Sequence, residues 1–313
     1  MSTLHQRDSL PGKTLSGQYV VSALVGSGSV CDVYVAQQVS LFRRNVAVRV
    51  LKKSICSSAT AEAQLHKKHF FLEAELLTRL KAHCFVRLFD AGSYVDDNVE
   101  RPFVVLEYLE GPTVWNWVKE QAPLLSSALR VASEVGSGLV ELSQHSISFR
   151  DLNPTNVILE TCGAMGQRAR LFDMTHVLPC RDGAAGAAER LLVGVPPFAP
   201  PEQGDGLSGE AGDVWSLAAL LFYMVERRAP FDTPRHDWAA FKQAAAGGVE
   251  LSLQGVEKRV RGELEALLGA GMALDPGARP SLTEFMAGLA ALQEGHGPKG
   301  GGAFRAGISR LFG

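Results

Sequence analysis

The 313-residue sequence has few of the features that mark secreted, membrane or nucleic-acid-binding proteins. No stretch approaches 18 uninterrupted apolar residues, so we expect no transmembrane segment. The first eight residues lack an apolar core, so we expect no signal peptide. The five cysteines are scattered and form no C-x-x-C pair, which favours reduced thiols over disulfides or a zinc framework. A net charge of −2 gives no general attraction to nucleic acid. Together these absences predict a cytoplasmic protein.

The composition and the order of apolar patterns predict two lobes. The hydrophobic content of 46% supplies a core large enough for both. We expect a flexible lead over residues 1–17, a small β-rich lobe with one helix over 18–110, and a larger helical lobe over 111–294. Residues 295–313 are predicted to be a Gly-rich linker and a short basic amphipathic tail. The fold class is therefore α+β, with Gly111-Pro112 as the hinge between the lobes.

Alternating and 3/4-spaced apolar residues place the individual elements. Strands are predicted at 19–21, 23–25, 33–36, 46–51, 103–108, 157–159 and 171–173. Helices are predicted over 60–82, 113–120, a segment capped by Ser126, a strongly apolar segment led by Asp213, and 237–247, 263–273 and 281–293.

The stretch Ser148–Asn156 carries the most chemistry. It holds Asp151 and, five residues on, Asn156, and the predicted strand 171–173 ends in a second carboxylate, Asp173. One Asp can orient a hydroxyl, while an Asn and another Asp supply hard oxygen ligands for Mg²⁺. Upstream, Gly26 and Gly28 lie between two strands, where glycine lets the backbone approach phosphates closely.

This ordered set resembles the protein kinases, with their glycine-rich loop, H-R-D-x-x-x-x-N loop and D-F-G loop. From about Tyr19 to about Leu292 the chain is similar to a bacterial, eukaryotic-like Ser/Thr protein kinase domain with degenerate motifs. The resemblance implies a bilobal kinase fold, ATP and Mg²⁺ as cofactors, and a protein substrate or signalling partner. It assigns catalytic roles to Asp151, Arg49, Glu73 and Asn153, and metal binding to Asn156 and Asp173. It assigns nucleotide contacts to Val25, Gly26, Gly28, Val33, Ala47, Arg49, Glu107, Leu109 and Ile158.

Departures from the family pattern concern the cations that face phosphate. Arg49 stands at the position of the phosphate-binding Lys; it can pair with Glu73, but its planar fork does not reproduce a point-charge ammonium. Asn153 stands at the position of a second Lys. Losing one well-placed donor typically costs roughly 10²–10³-fold in rate. Lys52 and Lys53 lie near Arg49 in sequence, and replacement by either stays open.

Other departures concern the loops. Phe149 replaces the His of H-R-D, and we expect it to stack with Leu77 and Met174; Thr175 replaces the Gly of D-F-G, and Val195 replaces a Thr. Between His176 and Pro201 there is no Ser, Thr or Tyr, which excludes phosphorylation of those residues. Arg150 would then pair with Asp182, Glu189 or water, in a loop that is packed, held by those acids, or disordered.

Two hypotheses follow from these residues. The first is an ATP- and Mg²⁺-binding protein that acts as a weak Ser/Thr kinase, favoured by Asp151, Asn156 and Asp173. The second is an inactive pseudokinase that serves as a signalling or scaffold module, favoured by Arg49 and Asn153. For the tail, docking to a membrane surface or partner competes with a frayed end.

Overall fold

A computed structural model describes residues 10–39, 43–163, 166–179, 194–207, 209–234 and 237–296. Its Cα packing divides the chain into two compact units. The N-terminal unit comprises residues up to Arg79 together with Val86–Leu109, and the C-terminal unit comprises Leu80–Phe85 and everything from Glu110 onwards. In the described ranges, no helix is long and apolar enough to cross a membrane.

The N-terminal unit is an antiparallel sheet of six strands with two helices. The strands are β1 (Thr14–Leu15), β2 (Tyr19–Ser27), β3 (Cys31–Gln38), β4 (Asn45–Leu51), β5 (Leu88–Asp96) and β6 (Val99–Glu107), in the spatial order β1-β2-β3-β4-β6-β5. The helices are α1 (Lys53–Ser57) and α2 (Ala61–Leu77). The Thr60 hydroxyl caps α2 by accepting from the Ala63 amide at 3.2 Å. The predicted helix over 60–82 is confirmed as α2 but is shorter, whereas α1 was not predicted.

Residues 10–17 correct the prediction of a flexible lead. Leu10 and Leu15 are 1% and 2% exposed, because β1 pairs with β2 and these leucines join the sheet's apolar core with Tyr34 and Val48. Burying each leucine side chain contributes about 1.5–3 kcal/mol of stability, which explains why this short segment is ordered. Residues 1–9 of the lead lie outside the described ranges.

The C-terminal unit is mainly helical. Its helices are α3 (Val114–Gln121), α4 (Leu125–Gln144), α5 (Glu210–Glu226), α6 (Trp238–Ala246), α7 (Lys258–Gly271) and α8 (Leu282–His296). Two-residue strands β7 (Ile147–Ser148) and β10 (Leu178–Pro179) pair with each other, as do β8 (Val157–Thr161) and β9 (Gln167–Leu171). Helix α5 is buried all round, as expected for a helix at the centre of its unit.

Several predicted boundaries move. Helix α4 begins at Leu125 and Leu124 is its N-cap without a side-chain bond, so Ser126 is not the cap. Helix α5 begins at Glu210, three residues before Asp213. Helix α8 runs to His296, into the segment predicted as a linker; the remainder of that segment and the tail, 297–313, lie outside the described ranges.

The segment Leu80–Phe85 was predicted to belong to the first lobe, but it packs within the C-terminal unit. The Glu141 carboxylate on α4 accepts from the Lys81 and Ala82 amides at 2.7 and 2.6 Å. Phe85 forms a bridge with Leu171 at the end of β9. These bonds satisfy backbone donors that would otherwise be unpaired, which explains the assignment.

Candidate active site

The turn between β2 and β3 carries the two glycines predicted to approach phosphate. The Gly28 amide donates to the Cys31 carbonyl at 2.9 Å, which closes the turn. A Cβ added to Gly26 or Gly28 would meet only ordinary contacts, at 3.8 and 3.6 Å, and neither residue has a positive φ. The turn therefore does not need glycine for its own folding, and a role in admitting a ligand to the backbone accounts for it better. Val25, just before it, is 55% exposed.

The strand register places three predicted nucleotide-contacting residues on one face of the sheet. Val33 pairs with Arg49, and Val35 pairs with Ala47, across β3 and β4. Because side chains alternate along a strand, Val33, Ala47 and Arg49 point to the same face.

Arg49 forms the predicted ion pair with Glu73 of α2. The Arg49 guanidinium donates to the Glu73 carboxylate, and the two side chains are only 5% and 1% exposed. The guanidinium carbon also lies 5.6 Å from the centre of the Phe70 ring on the same helix. The prediction that Arg49 keeps the pair is confirmed, so β4 and α2 are joined as they would be by a Lys.

The two neighbouring lysines each form an ion pair with another carboxylate. Lys52 lies 3.6 Å from the carboxylate of Asp32, which also accepts from the Ser27 hydroxyl at 2.6 Å. Asp32 pairs with Val50 in the register, so it points to the face opposite Arg49. Lys53 donates to Asp97 at 2.7 Å. Their ion pairs therefore argue against replacement of the missing Lys by either residue.

Two of the predicted nucleotide contacts, Glu107 and Leu109, lie at the end of β6 and just after it. Glu107 is its last residue, and the Glu107 amide donates to the Arg87 carbonyl at 2.9 Å. Leu109 is the last residue of the N-terminal unit. In the C-terminal unit, the predicted adenine contact Ile158 is a half-buried residue of β8 that bridges Thr113. Their contacts with adenine stay predictions.

The loop after β7 is held from below by Asp213 of α5. Its carboxylate accepts from the Phe149 amide at 3.0 and 3.1 Å and from the Arg150 amide at 3.2 Å. Arg150 has a left-handed φ of 68°, a strained backbone that these bonds and the Gln203 amide on the Arg150 carbonyl hold in place. Asp213 therefore braces the loop that carries Asp151. Its complete burial raises the pKa of Asp213 to about 7, against the opposing effect of the donated bonds.

Two carboxamides fix the Asp151 carboxylate. The Asn153 side-chain nitrogen donates to one carboxylate oxygen at 3.0 Å, and the Asn156 nitrogen donates to the other at 3.0 Å. The Asn153 oxygen accepts in turn from the Thr155 hydroxyl at 2.6 Å. The sequence analysis treated Asn153 only as a lost cation. In the structure, this neutral side chain holds the Asp151 carboxylate.

The surroundings of Asp151 favour its protonated form. Burial and then the nearby negative charge of Asp173 raise the pKa of Asp151 to about 7, while the two carboxamide bonds and Arg150 act in the opposite direction. A carboxyl group whose pKa lies near neutral pH is suited to accepting a proton in a reaction. Asp151 therefore has the chemistry expected of a general base.

Asp173 lies two residues beyond the end of β9, where Thr175 binds it. The Thr175 amide and hydroxyl donate to the same oxygen of Asp173, at 3.1 and 2.6 Å. Met174 between them is fully buried, and so is Phe149. The predicted stack of Phe149, Met174 and Leu77 stays a prediction, since Leu77 belongs to the other unit.

The donor set of this loop fits Mg²⁺. The bonds that Asn156 makes to Asp151 use its nitrogen, so they do not occupy the amide oxygen, the atom that would bind a metal. Within the described ranges, no group of three or more His, Cys, Asp or Glu residues could enclose a metal by itself. A site with one carboxylate and one amide oxygen is typical of Mg²⁺, which keeps several waters and takes further oxygens from phosphates.

The predicted loop of residues 176–201 is described only at its two ends. Leu178 and Pro179 pair with Ser148 and Ile147, and Gly194–Pro201 leads into a short 3-10 turn, Pro201–Asp205. The predicted acidic partners of Arg150, Asp182 and Glu189, lie outside the described ranges. The Arg279 guanidinium donates two bonds to the Glu202 carboxylate, at 2.6 and 2.9 Å.

Two roles were missed by sequence reasoning: Asn153 and Thr175 as donors to neighbouring carboxylates. The available signal was the spacing, because Asp and Asn side chains commonly bond with the backbone two residues on. Each occurs here as an Asp followed two residues later by a polar side chain, Asp151-Leu152-Asn153 and Asp173-Met174-Thr175.

Comparison with known families places this arrangement in context. Residues 19–288 match the protein kinase domain family. The chain is 29% identical over 223 residues to the serine/threonine-protein kinase pkn2 of Myxococcus xanthus, a match that covers 70% of this chain and 26% of that protein.

Two other bacterial relatives are similar at comparable levels. The serine/threonine-protein kinase PknB of Mycolicibacterium smegmatis is 25% identical over 287 residues, or 91% of this chain and 44% of its own length. The serine/threonine-protein kinase PrkC of Bacillus subtilis is 25% identical over 224 residues, 71% of this chain and 32% of its own. The chain thus spans less than half the length of these relatives.

Proposed function

Because the chain belongs to the protein kinase domain family, we propose that it binds Mg·ATP and transfers the γ-phosphoryl group slowly to a Ser or Thr hydroxyl of a protein. The observation that carries the proposal is the environment of Asp151. Its carboxylate is held by two carboxamides, and its pKa is raised to about 7. The three bacterial relatives described above are Ser/Thr kinases by name, which supports the hydroxyl as acceptor.

In the proposed reaction, the substrate hydroxyl oxygen attacks the γ-phosphorus and its proton passes to the Asp151 carboxylate. The bond from the γ-phosphorus to the bridging oxygen breaks, and ADP leaves with that electron pair. Asn153 and Asn156 keep the carboxylate oriented for the hydroxyl. Asp173 and Asn156 would hold Mg²⁺, which when bound neutralises charge on the phosphates.

The nucleotide contacts in this proposal are those that the kinase resemblance assigns. They are Val25, Gly26, Gly28, Val33, Ala47, Arg49, Glu107, Leu109 and Ile158. The shared face of Val33, Ala47 and Arg49 and the dispensability of the glycines for folding support this assignment.

The reaction is proposed to be slow because a positively charged side chain that faces the phosphates in the family is replaced here by a neutral one. Asn153 is bonded to Asp151 and Thr155, and as a neutral side chain it brings no positive charge. Phosphoryl transfer depends mainly on positioning and electrostatics, so one missing cation lowers the rate by roughly 10²–10³-fold.

The alternative is a pseudokinase that binds a protein partner without phosphoryl transfer, and the same Asn153 favours it. Incubation of the purified protein with Mg²⁺ and γ-labelled ATP, with a generic basic protein as acceptor, separates the two. We expect slow incorporation that Asp151→Ala and Asp173→Ala both abolish. Incorporation no greater than in these variants would refute the kinase and leave the binding module. Either function is proposed to operate in the cytoplasm, in keeping with Cys56, Cys84 and Cys162, which form no disulfide among the described residues.

A further inference from the structure

The turn Asp173-Met174-Thr175 contains a hydroxyl that is aimed at the carboxylate. The Thr175 hydroxyl donates to Asp173 at 2.6 Å, the short distance typical of a bond from a hydroxyl to a charged oxygen. The Thr175 amide donates to the same oxygen at 3.1 Å. A carboxylate has about four lone-pair sites, and both of these bonds fall on one of its two oxygens.

The hydroxyl adds something that the backbone alone cannot. Every residue except proline would offer the amide bond at position 175, whereas the Thr hydroxyl adds a second donor. Thr175 is 6% exposed, so its hydroxyl is shielded from competing water. Its β-branched side chain also restricts χ1 and the local backbone. Thr175 therefore stiffens the turn at the position where the D-F-G motif has a flexible glycine.

The residues on both sides of Thr175 are fixed as well. Met174 is fully buried, and the Val177 amide donates to the Met174 carbonyl at 3.2 Å. Leu178 and Pro179 then pair with the strand that precedes the Asp151 loop. The Asp173 carboxylate thus lies in a turn that is held at both ends. The β-branched side chain of Thr175 restricts the turn further.

We propose that Thr175 is a positioning residue that presets the Asp173 carboxylate for a divalent cation. This inference rests on the proposed function, because it takes Asp173 as a metal ligand. A preset ligand loses less conformational freedom on binding, so the cation binds more tightly than it would to a mobile carboxylate. Groups that orient a metal ligand typically contribute roughly 10–100-fold to metal affinity.

The test measures Mn²⁺ binding to the full chain in the presence of saturating ADP, from the electron paramagnetic resonance signal of free Mn²⁺. The variants are Thr175→Val, which keeps the shape and removes the hydroxyl, Thr175→Ser, which keeps the hydroxyl, and Thr175→Gly. Thr233→Val is a matched control, because the buried Thr233 hydroxyl has no hydrogen-bond partner among the described residues. We expect Val and Gly to weaken Mn²⁺ binding roughly 10–100-fold, with Ser and the control near the wild type.

Asp173→Asn separates this inference from the proposed function. If the wild type binds Mn²⁺, Asp173→Asn does not, and Thr175→Val binds as tightly as the wild type, the positioning role is overturned while the metal site stands. If Asp173→Asn binds as the wild type does, or the wild type does not bind, both are overturned. Should Thr175→Val fail to fold, the Ser and Gly variants decide, since equal Mn²⁺ affinity in these two contradicts a role for the hydroxyl.

Discussion

Removing one partner of the Arg49–Glu73 ion pair is expected to destabilise the N-terminal unit strongly. Arg49→Met removes the guanidinium that pairs with the Glu73 carboxylate, which is 1% exposed, and Glu73→Gln removes the carboxylate from the same buried pair. Breaking a buried pair in this way typically costs about 3–5 kcal/mol. Replacing both residues removes both charges, so Arg49→Met/Glu73→Gln is expected to cost less than either single change.

Amide hydrogen exchange read by mass spectrometry is the suitable assay. All four tryptophans, at 115, 117, 215 and 238, belong to the C-terminal unit, so fluorescence does not report on the sheet. Peptides from β4 and α2 do. A loss of about 3–5 kcal/mol accelerates exchange through unfolding by roughly 10²–10⁴-fold in these peptides.

Lys53→Met is the matched control, because it replaces a cation whose partner, Asp97, is exposed. It should leave exchange in β4 unchanged, since exposed pairs contribute little. Additive effects of Arg49→Met and Glu73→Gln in the double variant would refute the reasoning, because they would show that the two side chains do not stabilise each other.

Three further predictions concern the C-terminal unit and use tryptophan fluorescence during urea unfolding. Arg279→Lys should lower the free energy of unfolding by about 2–4 kcal/mol, because an ammonium cannot form both bonds that the buried guanidinium makes to Glu202. A decrease no larger than that caused by an Arg→Lys change on the protein surface would contradict this. The folded state binds the Asp213 proton up to pH of about 7, while the unfolded carboxyl has a pKa of 3.8, so stability should fall as pH rises between these values. Asp213→Asn should remove a few kcal/mol of that fall and the exposed Asp205→Asn should not; an unchanged pH dependence in Asp213→Asn would argue against the raised pKa. Gly111→Ala should cost about 1–3 kcal/mol, because φ is 156° and a Cβ would collide with the Leu159 carbonyl; wild-type stability would show that the hinge backbone adapts freely.

Most of the strands and helices could be predicted because each has a strong local pattern. The alternation of Val and Ala in β4 and the apolar surface of α5 are properties of consecutive residues. Strand β5 was not predicted, since Asp90, Gly92 and Ser93 lower its β-propensity. Asp97 and Asn98, both with positive φ, form the hairpin turn that joins it to β6, and this pair was the overlooked signal.

The sequence by itself determined the family and the identity of the chemically important residues, because the order of Gly26, Arg49, Glu73, Asp151, Asn156 and Asp173 is a one-dimensional property. It also showed which cations are replaced. The direction in which a side chain points, in contrast, cannot be read from the order of residues. Only the register of β3 and β4 showed that Lys52 binds on the face opposite Arg49.

Tertiary structure also decided what the replacements do. Whether Asn153 and Thr175 point to water or to a neighbouring carboxylate depends on turn geometry and on the burial that excludes competing water. Leu10 and Leu15 became core residues only because the sheet offered them an apolar surface. Packing between distant segments sets these outcomes, since the free energy of each contact depends on residues far away in the chain.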